Sequence, residues 1–352
     1  MGKNEKLNDR KTGVNNIKIL ATLGPSSLKE DVIGGMTAAG VSLFRINLSH
    51  TAAEELEELI PFIQSCTDVP ICLDSEGAQI RTQRLMDGGI SMVANAQVRL
   101  HGDTIEGDQE NLSFHPTGIA GEFDVGDLID IDFHGVQLRV TEKSEAYSTA
   151  VVETPGKIGE NKAVSVNRQI PMPAMTEKDQ RAIEIGRRLG IQYFALSFAN
   201  APEDVDAFRS CIGDEATLIT KIESIRGIRN LAEIADKADA ILIDRGDLSR
   251  EVPIEKIPFL QRRIVSSVKA RQKPVYVATN LLESMIEWHQ PTRAEVNDVV
   301  STLEMGATGL VLAAETAIGG HPVAAVETIR QLIDHFDRWT PNTSFEELLT
   351  DG

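Results

Sequence analysis

The sequence predicts a (β/α)8 TIM barrel interrupted by a small inserted β-barrel. Three observations lead there. Eight short β-rich runs recur along the 352 residues, amphipathic helical patterns separate them, and residues 76–170 switch to short alternating strands with no helical pattern. In order, the eight runs are IKILAT (17–22), VSLFRINL (41–48), VPICLD (69–74), QYFALSF (192–198), TLITKIE (217–223), DAILIDR (239–245), PVYVATN (274–280) and GLVLAAE (309–315).

The segments between the runs carry apolar residues at helical spacing. They include LKEDVIGGMTAAG, AAEELEELIPFIQ, EKDQRAIEIGRRLG, PEDVDAFRSCIG, RGIRNLAEIADKA, IPFLQRRIVSSVKARQ, RAEVNDVVSTLEMG and HPVAAVETIRQLIDHF. Strand followed by helix, repeated eight times, calls for a parallel sheet closed on itself. The barrel is expected over residues 17–75 and 171–339, with a flexible arm at 1–16 and a polar tail at 340–352. Runs such as ISMVANAQVRL, LIDIDFHGVQLRV and AYSTAVVETP make 76–170 a β-rich domain set into a barrel loop. A domain placed there is suited to act as a lid.

Composition narrows the partners. The chain is 41% hydrophobic and 25% charged, with a formal net charge of −18, which disfavours nucleic acid and anionic membrane surfaces. An anionic small molecule is still compatible, because a local cluster of cations acts at short range while distant charge is screened. No apolar stretch approaches the ~20 residues of a membrane span, and the opening MGKNEKLNDRKTGVNN lacks a signal-like apolar core, so a cytoplasmic location is expected. Cys66, Cys72 and Cys211 form no CxxC pair and read as reduced core residues.

In such barrels chemistry gathers where the strands end. Here those ends supply Thr22, Gly24 and Pro25; Arg45, Asn47 and Ser49; Asp74 and Ser75; Ser197; Lys221 and Glu223; Arg245, Gly246 and Asp247; Thr279 and Asn280; and Glu315 and Thr316. One such residue alone is usually a surface ion pair or turn chemistry. Together they suggest a site. Glu223 and Asp247, on neighbouring strands, suit a hard cation such as Mg²⁺ or Mn²⁺, and Lys221 with Arg45 suits an anion carrying phosphate and carboxylate.

The motifs KILATLGPSS, GVSLFRINLSH, CLDSEGAQIRT, IPMPAMTEKD, TKIESIRGIRN, DRGDLSREVP, KPVYVATNLLESM and PTRAEVNDVVSTLEMGATGLVLAAETAIGGHP occur in the order found in pyruvate kinases. From about residue 17 to 337 the chain resembles that family, in a short form without its separate carboxyl-terminal domain. The resemblance implies transfer of a phosphoryl group between phosphoenolpyruvate and ADP, giving pyruvate and ATP. Residue by residue, it implies divalent-metal ligation by Glu223 and Asp247 and phosphoryl stabilisation by Lys221. Arg45 would contact phosphate, and Thr279 would hold the substrate carboxylate and be linked to enolate protonation, with Gly246 and Asp247 beside the substrate. Asn47, Ser49, Asp74 and Ser75 would form a K⁺ pocket, and His50, Arg81 and Lys162, with Arg45, would lie on the nucleotide side. Without the carboxyl-terminal domain the family's usual sugar-phosphate effector site is not expected; a homodimer through barrel helices is compatible with what is left.

Several positions depart from the family pattern. Asp244 stands where Ala is usual, Ser249 replaces Gly, and Ala313 and Ala314 replace Ser and Gly. Asn280 and Leu281 replace Gln and Met, Ala78 and Gln79 replace Pro and Glu, and Phe133 stands where a lid acid is expected. Asp244 would add a carboxylate near the metal if its side chain faces the mouth. Two other readings accommodate these changes: a metal-dependent enzyme acting on phosphoenolpyruvate, pyruvate or another 2-oxo acid without nucleotide, and a non-catalytic paralogue.

Overall fold

The structure is a computed structural model, describing residues 17–350 apart from 78, 133, 134 and 169. The chain divides into two compact units, one running through Ser75 and resuming at Lys178, the other spanning Glu76–Glu177. The second unit extends past residue 170 because Ile170 is buried in its core and Met172 packs against it.

The first unit is a closed barrel of eight parallel strands, Lys18–Leu23, Leu43–Asn47, Ile71–Asp74, Tyr193–Leu196, Thr217–Ile222, Ala240–Asp244, Val275–Ala278 and Gly309–Leu312. Each pairs with its sequence neighbours among these eight, and the last pairs with the first through Lys18↔Gly309 to Ala21↔Leu312. Parallel strands buried on both faces need apolar residues at nearly every position, which is why these runs read as continuous rather than alternating.

In two of the expected runs the strand gives way to a helix before the run ends. The sixth ends at Asp244 and Arg245 opens the helix Arg245–Glu251; the eighth ends at Leu312 and Ala314–Ala317 is helical. In the first case Asp244 caps the new helix, its carboxylate accepting from Asp247 N. The expected helix over 226–238 is two, Ile225–Arg229 and Leu231–Lys237, separated at Asn230. The tail carries a short helix, Phe345–Thr350, with Phe345 and Leu349 exposed.

Inside the barrel, Leu20, Leu43, Cys72, Ala195, Ile219, Leu242, Tyr276, Ala278 and Val311 form one buried apolar cluster. Successive side chains on a strand point to opposite faces, so the residue two places on from each re-enters the lumen, one layer nearer the carboxyl end. That rule brings Thr22, Arg45, Asp74, Ser197, Lys221 and Asp244 to one polar layer above an apolar floor. Cys72 belongs to that floor, whereas Cys66 and Cys211 are only half-buried; all three are free thiols.

The seam between first and eighth strands is tied at its upper end. Thr22 Oγ1 donates to Leu312 O at 2.8 Å and Thr316 Oγ1 donates to Thr22 O at 2.8 Å. Gly24 must be glycine here, since a Cβ would lie 2.6 Å from Ala317 O. At the lower end Gly309 faces the Tyr276 ring.

The second unit has its own closed barrel of seven strands, six of them between Ile80 and Thr154 and the seventh at Ala163–Val166, around a core that includes Phe114, Phe123, Ile129 and Leu138. No helix among the described residues is long and apolar enough to cross a membrane.

A Cβ on Gly309 would sit 2.5 Å from Tyr276 Cδ1 and 3.1 Å from Lys18 O. Gly309→Ala is therefore expected to cost about 1–3 kcal/mol of stability by overpacking, measured by urea unfolding. Tyr276→Leu in the same chain should recover part of that loss.

Candidate active site

Lys221 is the centre of the polar layer. Its Nζ lies 2.8 Å from Glu223 Oε1 and 3.4 Å from both Asp74 Oδ2 and Asp244 Oδ2, and it donates to Ser197 Oγ at 3.1 Å. Burial by itself would drive the proton off the ammonium. Asp74, Glu223 and Asp244 outweigh that effect and hold its pKa above the usual lysine range, so the charge persists. Arg45 sits beside it, donating from Nη1 to Asp74 Oδ2 at 2.9 Å and from Nε to Thr22 Oγ1 at 2.9 Å. Asp74 thus holds both cations while buried completely.

The carboxylates around Lys221 differ in character. Burial first, and then Asp247 and Asp244, push Glu223 well above the usual carboxylate range against the pull of Lys221. Burial and Asp244 likewise raise Asp247, although Arg250 stands 2.8 Å from its Oδ1. For Asp244 burial acts in the same sense, but Lys221, Arg45 and the Asp247 N–H overcome it and leave its pKa lowered. Ligand oxygens of Glu223, Asp244 and Asp247 all lie within 4.8 Å of one another.

A hard divalent cation fits this donor set. All the candidate ligands are carboxylate oxygens, the type such ions prefer. Glu223 Oε2 accepts from Phe198 N at 2.6 Å, while Oε1 is buried with no well-aligned hydrogen-bond donor, only the Lys221 ion pair. Burial and neighbouring carboxylates raise two of these groups, and a divalent ion held between them would favour their ionised forms.

Thr279 and Gly246 form the neighbouring wall. Thr279 Oγ1 accepts from Gly246 N at 2.8 Å and donates to Ala278 O at 2.6 Å. Its φ is +72° and that of Asn280 is +54°, left-handed values that cost a β-branched residue about 1–3 kcal/mol.

The other expected residues take varied places. Asn47 pairs in register with Asp74, and its Oδ1 accepts from Ser49 N at 3.0 Å within the following turn. Ser75 Oγ accepts from Ser197 N at 2.9 Å. His50 continues that turn, its N–H donating to Asn47 O. Glu315 departs from the expectation of a strand-end group at the mouth: it lies on the helix Ala314–Ala317 and is spent on structure, accepting from Leu282 N and Ala313 N. Arg245 also turns away from a ligand role, as a half-buried tie to the carbonyls of Ala278 and Thr279 and to Asp298. Arg81 and Lys162 belong to the second unit, where Arg81 donates to Asn161 O and Lys162 Nζ lies 3.3 Å from Asp132 Oδ2. Ala78 and Phe133 lie outside the described residues.

Ser197, expected among the strand-end groups, is a direct partner of Lys221. One contributor was not singled out from the sequence. Arg250 pairs with Asp247 at i,i+3 spacing, legible once 245–251 is known to be helical.

Known proteins similar to this chain identify its family. The family model for the pyruvate kinase barrel domain matches residues 14–326. The chain belongs to the pyruvate kinase family. It is 37% identical over 328 residues to a pyruvate kinase of Methylorubrum extorquens, covering 91% of this chain and 68% of that protein. It is 35% identical over 324 residues to that of Thermotoga maritima, covering 90% and 70%. A Mycobacterium tuberculosis pyruvate kinase is 32% identical over 325 residues, covering 90% and 69%.

Asp74 is the shared anion of two buried cations. Asp74→Ala is expected to cost about 3–5 kcal/mol, the usual loss when a buried ion network keeps one sign of charge without its partner. Chemical denaturation checks the value; a loss below 1 kcal/mol would show that Glu223 and Asp244 suffice.

Proposed function

We propose that this protein transfers a phosphoryl group from phosphoenolpyruvate to ADP. The observation that carries the reading is the Lys221 ammonium held at the barrel mouth beside the Glu223 and Asp247 carboxylates. Family membership makes this reaction the natural reading of that cluster.

Chemically, a terminal oxygen of ADP attacks phosphorus, the bond from phosphorus to the enol oxygen breaks, and the released enolate takes a proton at carbon to become pyruvate. Phosphoryl transfer of this kind needs in-line positioning and neutralisation of charge on the moving group. Lys221 supplies a permanent positive charge, and Arg45 a second one beside it. Glu223 and Asp247 would hold Mg²⁺ or Mn²⁺, with Asp244 within reach of the same ion; such an ion, when bound, neutralises phosphate oxygens and orients them. K⁺ would draw on oxygens of Asn47, Ser49, Asp74 and Ser75. Thr279 and Gly246 offer a hydroxyl and a backbone N–H to the substrate carboxylate. His50, Arg81 and Lys162 are the candidates for holding the nucleotide.

Asp244 retunes this site. A carboxylate 3.4 Å from Lys221 competes with an incoming phosphate for the same ammonium.

Purified protein with phosphoenolpyruvate, ADP, Mg²⁺ and K⁺, followed by ³¹P NMR, should form ATP, and Lys221→Met should abolish it. Consumption of phosphoenolpyruvate without ATP would instead favour enolate chemistry without nucleotide, and inertness with retained ligand binding a non-catalytic role. Asp244→Ala should lower the KM for phosphoenolpyruvate by roughly tenfold, the effect of relieving about 1.4 kcal/mol of repulsion. An unchanged or higher KM would sink the competition argument.

A further inference from the structure

The structure assigns Arg245 as a positioning residue that holds Thr279 in its left-handed conformation, an inference that rests on the transferase reading for its kinetic part. Its guanidinium donates from Nη2 to Thr279 O at 2.6 Å and from Nε to Thr279 O at 3.2 Å and Ala278 O at 3.4 Å. The other arm, Nη1, donates to Asp298 Oδ2 at 2.6 Å and Gln261 Oε1 at 3.4 Å. Gln261 is itself buried, and its Nε2 donates to Thr302 Oγ1 at 2.9 Å.

These contacts bind three segments at one point. Arg245 is the first residue after the sixth strand, Thr279 the first after the seventh, and Asp298 lies on the helix Arg293–Met305. A β-branched residue at φ +72° relaxes toward negative φ unless its surroundings prevent it. Rotating that peptide would swing Thr279 O away from the guanidinium and carry Oγ1 off Gly246 N. The planar fork of arginine suits this role because it serves adjacent carbonyls on one side and a carboxylate on the other; a lysine ammonium has no such geometry. Arg245 therefore touches neither substrate nor metal, and acts through Thr279.

The consequence is specific. Thr279 and the Gly246 N–H share one hydrogen bond, so displacement of Thr279 misplaces both groups expected to face the substrate carboxylate. Loss of the clamp should damage the step that depends on their geometry more than it damages the initial grip on phosphate by Lys221 and Arg45.

Arg245→Lys tests this in the full chain, with Asp298→Asn as a milder variant that loosens one arm and leaves the carbonyl contacts. Arg245→Lys should lower kcat for ATP formation by 10- to 100-fold with KM for phosphoenolpyruvate changed less than threefold, and Asp298→Asn should fall between it and wild type. Placed on a Thr279→Ala background, Arg245→Lys should cause no further loss, since the residue it positions is gone. Independently of turnover, the Thr279 ¹³Cα resonance in threonine-labelled protein should move when Arg245 is replaced, with thermal unfolding confirming that the variant folds. Losses that multiply in the double variant, or an unchanged Thr279 resonance, would overturn the clamp whatever the activity. If wild-type protein makes no ATP but the resonance moves, the clamp stands and the transferase reading is what fails.

Discussion

An ammonium group cannot stay charged in a protein interior without anions around it, and the arrangement of this barrel's mouth follows from that constraint at Lys221. Asp74, Glu223 and Asp244 surround the lysine from three other strands or strand positions, and Ser197 completes its hydrogen bonding. Asp74, Ser197, Asp244 and Lys221 itself are brought there by the same rule, two residues beyond an apolar side chain that fills the lumen below, whereas Glu223 stands two residues beyond Lys221. The apolar floor excludes water from beneath, which strengthens every charge interaction above it. Packing and electrostatics are therefore one design: Leu20, Leu43, Ile219 and Leu242 set the depth at which Lys221 and its partners meet.

Such a cluster is poised rather than satisfied. Asp74 is bound by two cations, whereas Glu223 and Asp247 are both pushed above the usual carboxylate range by burial and by their neighbours. A divalent ion held there would supply positive charge to these carboxylates. Asp244 tilts that balance. It adds a further anion beside Lys221 and a third carboxylate to the acidic cluster.

Thr279 shows a second way in which the fold stores constraint. Its left-handed backbone is held by contacts from Arg245 and Gly246, which belong to the strand end and helix start next door. The same short stretch, Asp244 to Asp247, thus caps a helix, contacts the lysine, bonds to the threonine wall and brings a second carboxylate to the acidic cluster. Glu315 plays the corresponding structural part on the other side, tying Leu282 and Ala313 together.

Much of this was legible in the residues themselves. Eight apolar strand-length runs, each followed by a helical pattern, dictate a closed parallel barrel, and the polar strand ends mark the candidate site. Lys221 and Glu223, two apart in the expected run 217–223, were read as pointing the same way because a pleated strand returns to the same face every second residue, and the pair does meet although the strand ends at Ile222. What alternation could not tell was the face of Asp244, since AILID is apolar on both sides and the parity of a doubly buried strand is invisible in its composition. Nor could it tell that Arg245 and Glu315 leave their strands to become structural ties, because those ends depend on helix caps and on carbonyls supplied by distant segments. The sequence by itself determined the barrel and the inventory of charges at its mouth; only the tertiary structure decided which of those charges meet, because strand register and the turn of each backbone after its last strand residue are set by contacts between segments far apart in the chain.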